Sequence, residues 1–286
     1  MIDLHVHTNV SDNSMSIREV LNLAKEEGIT DLAITDHDTT LGLNEALQLG
    51  KEIGVGIIPG IEISAFDYRR NCRAHILGLF VEPEHPSLKQ LCDHLVQSRN
   101  EASHEMVSRI NKAGYTIPWE DVQKYRGRTG VYKQHIMHAL MDKGYCDCIY
   151  GDLYKKLFRR GDNAKNSGIA YVPLIYVSVA EAIKAVIEAG GIPVLAHPGQ
   201  FNNFAAIDEW VELGLKGIEV FHPKNDEEDR RQAMAYAQKY QLLITGGSDF
   251  HGLYGESPIE LGCKELDHVE WISALEKKRT ELVMNV

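Results

Sequence analysis

Ile2-Asp3-Leu4-His5-Val6-His7 is the stretch from which the rest of the chain can be read. Apolar and polar residues alternate through it, as they do in a half-buried strand. Residues two apart on a strand share a face, so the alternation puts Leu4 and Val6 on one side and Asp3, His5 and His7 on the other. Two imidazoles side by side are poor core filler. They suit a polar strand end in contact with water, or a chelating pair in which each ring gives one nitrogen to a single ion.

Outward from this strand, apolar runs alternate with helix-period segments. Strands are expected at Asp31–Thr35, Gly56–Ser64 (broken at Pro59-Gly60), Arg73–Leu79, Gly191–Ala196, Gly217–Phe221 and Leu242–Gly247. Helices are expected at Ser16–Glu27, with a Ser16/Glu19 capping box, at Gly42–Ile53, and near 179–189, 205–213 and 226–239. Strands separated by helices predict βα units around a parallel sheet, and seven of them predict an α/β barrel with its chemistry at one mouth. Residues 95–170 break the rhythm. Helical patterns at Leu88–Ala113, Val131–Lys143 and Leu153–Arg160 are followed by a polar, glycine-bearing loop. Residues 95–170 are therefore expected to form a helical insertion over the mouth of a barrel built from 1–94 and 171–286.

The 286 residues are 44% hydrophobic and 25% charged, which excludes disordered and fibrous classes. No apolar run approaches the ~20 residues of a membrane span. The Met-Ile-Asp-Leu-His start lacks a basic flank and an apolar core, so no secretory leader and a cytoplasmic location are expected. Thirty Lys and Arg against 41 Asp and Glu leave a formal charge of −11, which argues against long nucleic acid as a partner. Five cysteines without a CxxC pair exclude a disulfide scaffold and a zinc finger, and Cys146-x-Cys148 reads as two small buried thiols.

The chemistry lies at the strand ends. Asp249 and His251 repeat the two-residue spacing after Gly246-Gly247, glycines that would let the backbone approach a ligand closely. His37 follows the second strand, His75 lies within the fourth, and His197 and His222 follow the fifth and sixth. Glu62, between Ile61 and Ile63, is costly to bury unless a cation or hydrogen-bond donors meet it. Imidazoles and carboxylates without thiolate suit manganese first, or iron or zinc, and so many donors imply two or three divalent ions. Clustered ions polarise a phosphoryl oxygen and generate hydroxide at neutral pH, so hydrolysis of a phosphate ester is the expected reaction.

Asp3-Leu4-His5-Val6-His7-Thr8, Thr35-Asp36-His37-Asp38, Ala196-His197-Pro198 and Gly247-Ser248-Asp249-Phe250-His251 together resemble the four signature motifs of the PHP (polymerase and histidinol phosphatase) superfamily. The resemblance implies a distorted (β/α)7 barrel and places the chain nearest the small stand-alone phosphoesterases. These include nucleotide bisphosphate phosphatases, a cyclic-phosphate dihydrolase and exonucleases on short RNA. It implies a trinuclear site: His5, His7, Glu62 and Asp249 on one ion, Glu62 with His75 and His197 on a second, and Asp12 with His37 and His251 on a third. Asp36 and Asp38 are expected to support these ligands. The resemblance also puts Lys133 and His135 near a substrate phosphate, with Lys133 where relatives carry arginine. Arg160 and Lys165 could close over an anion, and His222 could bind substrate and protonate a leaving oxygen as a catalytic group beside Asp249. The expected substrate is a small nucleotide or phosphorylated metabolite. A 5′-3′ exonuclease on short RNA and a histidinol-phosphate-type phosphatase are the alternatives.

Overall fold

A computed structural model describes residues 1–161, 166–256, 258–263 and 266. The chain runs β1 (Ile2–Val6), α1 (Ile17–Glu26), β2 (Asp31–Ile34), α2 (Leu43–Ile53), β3 (Gly56–Asp67), β4 (Cys72–Leu79), α3 (Pro86–Lys112), α4 (Trp119–Gln123), α5 (Lys133–Asp142) and α6 (Asp152–Phe158). It continues through β5 (Val177–Ser178), α7 (Val179–Glu188), β6 (Ile192–Leu195), α8 (Pro198–Phe201), α9 (Ile207–Glu212), β7 (Gly217–Phe221), α10 (Glu227–Tyr240) and β8 (Leu243–Gly246). The helix starts follow from their caps. Ser16 and Glu19 form the expected capping box on α1, and Ser178 with Glu181 forms another on α7. On α1, Ile17, Val20, Leu21 and Ala24 make the buried stripe.

Among the described residues, seven strands follow one another around the sheet in the order β1-β2-β3-β4-β6-β7-β8, and the short β5 adds to β3. The path nearly closes. Beyond β8, the amide of Asp249 donates to the carbonyl of His5 at 2.9 Å, and that of His7 to the carbonyl of Phe250 at 3.2 Å. The result is a distorted α/β barrel, with one departure from the all-parallel expectation: β4 runs antiparallel to both β3 and β6. The cause is the absence of a helix between β3 and β4. A turn at 68–71 joins them directly, and only a crossover could have made them parallel. Pro59 does not break β3. It is the residue at which β3 leaves β2 and takes up β4, where its missing N–H does no harm.

Two cores sandwich the sheet. Ile2, Leu4, Ala33, Leu77, Val194 and Leu243 fill an interior to which no helix contributes among the described residues, and Val6, Ile34, Ile63 and Ile218 join the larger layer beneath the helices. Leu4 and Val6 thus face opposite layers, against simple alternation. The β1–β2 register shifts between Asp3 and Val6, and this irregularity re-aims the residues around His5.

A third core is built from α3 to α6 and includes Met106, Ile110, Ile136, Leu140 and Leu157, with Tyr254 reaching in from beyond β8. α3 serves both bodies in one unbroken helix. Leu88, Cys92 and Leu95 pack in the helical layer of the barrel, and Ala102, Met106 and Ile110 pack in the third core. The two thiols read as buried lie nearer the surface: Cys146 is half-buried and Cys148 exposed.

Candidate metal centre

The ends of β1, β2, β6 and β8 converge on Glu62. His75 Nδ1 and His197 Nε2 lie 2.6 Å and 3.0 Å from Glu62 Oε1. His5 Nε2, His7 Nε2 and His37 Nδ1 lie 3.2 Å, 3.2 Å and 3.1 Å from Oε2. Asp249 Oδ1 is 3.4 Å from His5 Nε2 and 3.2 Å from His7 Nε2. On the other side of His7, Asp12 Oδ1 is 3.6 Å from His7 Nδ1 and 3.4 Å from His251 Nε2. All nine residues expected from the sequence are therefore brought together. Their donor atoms form overlapping sets with members within 4.8 Å of one another: His5, His7, Glu62 and Asp249; His7, Asp12, His37 and His251; and His37, Glu62 and His75.

Local backbone geometry makes this convergence possible. His197, Asp38 and Asp249 all have positive φ, a conformation that L-residues adopt only when the surroundings enforce it. Asp36 ties down the loop that carries Asp12, accepting from both the amide and hydroxyl of Thr8 and of Ser11. Asp38 accepts from the Ser64 amide at 2.7 Å and pairs at 2.5 Å with the largely buried Arg99 of α3. Arg99 also lies over the Tyr132 ring, which fixes the start of α5 against the His37 loop. Asp3 turns away from His5 and His7 and accepts from the amides of His5, Ser248 and Gly262. Gly246 and Gly247 serve packing, not ligand approach. A Cβ on Gly247 would lie 2.6 Å from the backbone nitrogen of His5, so glycine lets β1 and the Asp249 segment close together.

The carboxylates and imidazoles of the centre shift one another strongly. Burial alone would push Glu62 and Asp249 up, yet the surrounding imidazoles hold both well below the usual carboxylate range. Burial would likewise lower His7, but Asp249 and Glu62 outweigh it and raise it to about 10. His5 is raised well above its usual value, chiefly through Glu219 and Glu62 once burial is overcome. His37, where burial wins, falls to about 4. Although several contacts are near 3.2 Å, His5 Nε2, both nitrogens of His7, His37 Nδ1 and Glu62 Oε2 make no aligned hydrogen bond. Buried polar atoms normally find partners. Nitrogen and oxygen atoms that pass one another at this range without pairing, and converge on common points, suit divalent ions once the imidazoles are neutral.

A cavity of about 160 Å³ opens onto these donors, lined on its outer side by Gln134, Tyr150, Tyr154, Gln200, Lys224, Tyr254 and Glu256. A second, of about 150 Å³, is lined by Arg73, Lys133, Arg160, Phe66, Tyr68, Tyr171 and Tyr176. Arg73 and His75 lie two residues apart on β4, about 6.6 Å by strand rise, so the two cavities are neighbours. Lys133 and Arg160 thus come together, and Lys165 lies outside the described residues. His135 is fully buried, accepts from the Tyr132 amide through Nδ1 and lines neither cavity. His222 is also buried away from the cavity. Its Nδ1 accepts from the Lys224 amide, which leaves a proton on Nε2, 3.6 Å from Asp249. Glu219 went unread in the sequence. It lies 3.1 Å from His5 Nδ1 and accepts from the His197 amide at 2.8 Å. The signal was available, since Ile218-Glu219-Val220 repeats the buried-carboxylate pattern of Ile61-Glu62-Ile63.

Comparison with known proteins agrees with this geometry. The PHP domain matches residues 3–190. The chain is 42% identical over 257 residues to a phosphoribosyl 1,2-cyclic phosphate 1,2-diphosphodiesterase of Eggerthella lenta, covering 90% of this chain and 96% of that one. It is 30% identical over 256 residues to the 5′-3′ exoribonuclease Rnm of Escherichia coli, covering 87% and 84%. The solved structure of a candidate metal-dependent phosphoesterase from Bifidobacterium adolescentis superposes with a TM-score of 0.86 at 28% identity, covering 97% and 96%. The chain belongs to the PHP family of metal-dependent phosphoesterases.

Proposed function

We propose that this enzyme hydrolyses a small phosphate ester carrying a second anionic group, with the cyclic phosphate of a phosphorylated ribose or nucleotide as the leading substrate. The observation that carries the reading is the pairing of two small neighbouring cavities, one at the converged donors and one basic and free of carboxylates. Arg73, Lys133 and Arg160 form no ion pair among the described residues; their charges face aromatic rings instead. Burial, with Arg73 and Arg99 nearby, pushes Lys133 down to about 8, a cost that a bound anion would relieve. The Eggerthella relative, named for a cyclic phosphate of phosphoribose, supports the same class.

In this reading His5, His7, Glu62 and Asp249 would hold one ion, Glu62 with His75 and His197 a second, and Asp12 with His37 and His251 a third. Manganese suits this nitrogen and oxygen donor set, as do iron and zinc. Bound divalent ions polarise the phosphoryl oxygen and make water nucleophilic at neutral pH. The chain's own residues do the rest. Glu219 keeps the His5 ring fixed, and His222 acts through Asp249 by steadying its carboxylate. Lys133 and Arg160 take the second anionic group and so set the reacting phosphate in place. The small cavities exclude long duplexes. Five free thiols suit a reducing compartment such as the cytoplasm.

The Rnm relative and the aromatic lining of the basic cavity favour a second reading, removal of 5′ nucleotides from short RNA. The test is a panel of 2′,3′-cyclic nucleotides, phosphorylated ribose cyclic phosphates, nucleoside 3′,5′-bisphosphates and di- to pentaribonucleotides, assayed with manganese. Small cyclic phosphates and bisphosphates should turn over faster than oligonucleotides, and His5→Ala and Asp249→Ala should abolish turnover in folded protein. Oligonucleotides as the best substrates would favour the second reading. Unchanged turnover in the two variants would refute the centre.

A further inference from the structure

Lys224 is the one lysine or arginine lining the metal cavity among the described residues, and its ammonium is paired with Glu256, which lines the same cavity from the segment after β8. The two ends of this pair are built differently. The Lys224 backbone is pinned in a turn at the exit of β7: its amide donates to His222 Nδ1 at 3.0 Å, and Asn225 beside it donates to the carbonyls of Glu219 and Val220. Glu256 follows the turn at Gly252–Tyr254 and is half exposed. The other lining carboxylates, Asp12, Glu62 and Asp249, belong to the imidazole cluster, so Glu256 is the one left facing outward.

We propose that Lys224 is a binding residue for the reacting phosphate and that Glu256 occupies its ammonium until substrate arrives. An ammonium keeps three donors on a flexible stem, and one exposed carboxylate is a weak, exchangeable partner for it. A phosphate entering the cavity brings more charge and more acceptor oxygens than that carboxylate, so it displaces Glu256 and draws Lys224 inward. Glu256 thereby sets selectivity: a neutral or weakly anionic compound does not break the pair, and a phosphate does. This role differs from that of Lys133 and Arg160, which face the neighbouring cavity.

The proposal rests on the metal-centre reading above, and its test needs no turnover, so the two can fail separately. The affinity of inorganic phosphate for the manganese-loaded protein is measured by calorimetry, with metal content determined for each variant. Lys224→Met should weaken phosphate about tenfold at unchanged metal content, as expected for one charge-assisted contact. Glu256→Gln should tighten it about threefold, because a competing surface ion pair is removed. In the double variant the gain should vanish. Phosphate affinity within about twofold of the parent in Lys224→Met, weaker phosphate in Glu256→Gln, or a gain that survives in the double variant would each overturn the proposal. Glu256→Gln removes only an exposed charge, so it decides the matter even if Lys224→Met folds poorly.

Discussion

At the scale of single residues, Glu219 has the most to say about how the centre is held. Its carboxylate faces His5 Nδ1 and the His197 amide from below, so it fixes which His5 nitrogen is free for the cavity. Such partners orient a ligand and raise its basicity, and losing one costs about 10–100-fold in metal affinity. Glu219→Gln should therefore weaken manganese by about that factor in a chelator competition while the fold survives. A conservative Glu219→Asp should recover part of the loss. Eight of the nine converging donors could be read from strand spacing and from polar residues set in or beside apolar runs, whereas Asp12, in a loop, was legible only through the family resemblance. Glu219 obeys the same rule but stands alone in its strand. Lys224 and Arg99 left no signal, since a lysine in a turn and an arginine in a long helix look like solvated surface until the helix is seen to cross Asp38.

At the scale of elements, the alternation of strands and helices gave the barrel, and the capping boxes gave the helix starts. The antiparallel β4 was legible only as a missing helix between Ser64 and Arg73. The β1 irregularity was not legible at all, because a register shift depends on the partner strand. The junction between β1 and the segment after β8 is closely packed behind the centre, since a Cβ on Gly247 would lie 2.4 Å from the Cβ of His5. Gly247→Ala should cost about 1–3 kcal/mol in urea unfolding, the usual penalty for forcing atoms into filled space. It should also lower metal content, because the atom it strikes carries the His5 ring. Full metal loading with unchanged stability would show that the two strands part easily.

For the molecule as a whole, the metal-free centre is held by protons. His7, raised to about 10 against a usual value near 6.5, is charged at pH 7 without metal and must be neutral to bind it. Manganese added to chelator-treated protein at pH 7 should therefore release protons, and apparent affinity should rise with pH up to about 10. The imidazole–carboxylate pairing stabilises the metal-free protein fully below about pH 6.5 and is lost as pH climbs through about 10. The carboxylate half of the same pairing acts in reverse. Glu62 and Asp249 are depressed, so their contribution is present above the ordinary carboxylate range and is lost as pH falls through their lowered values. Chelated protein should show its highest melting temperature between these limits, and added manganese should raise it further and extend it to alkaline pH. A melting temperature indifferent to manganese would argue against ion binding at the centre.

The near-closure of the sheet also sets an order of events during synthesis. His5 and His7 are synthesised about 240 residues ahead of the partners that complete their site, Asp249 and His251. Throughout translation the growing polypeptide holds an unfinished set of ligands that cannot trap an ion with full strength. Full-strength ion binding should therefore wait until the segment after β8 has docked on β1, and a chain truncated before Asp249 should bind manganese far more weakly than the full chain.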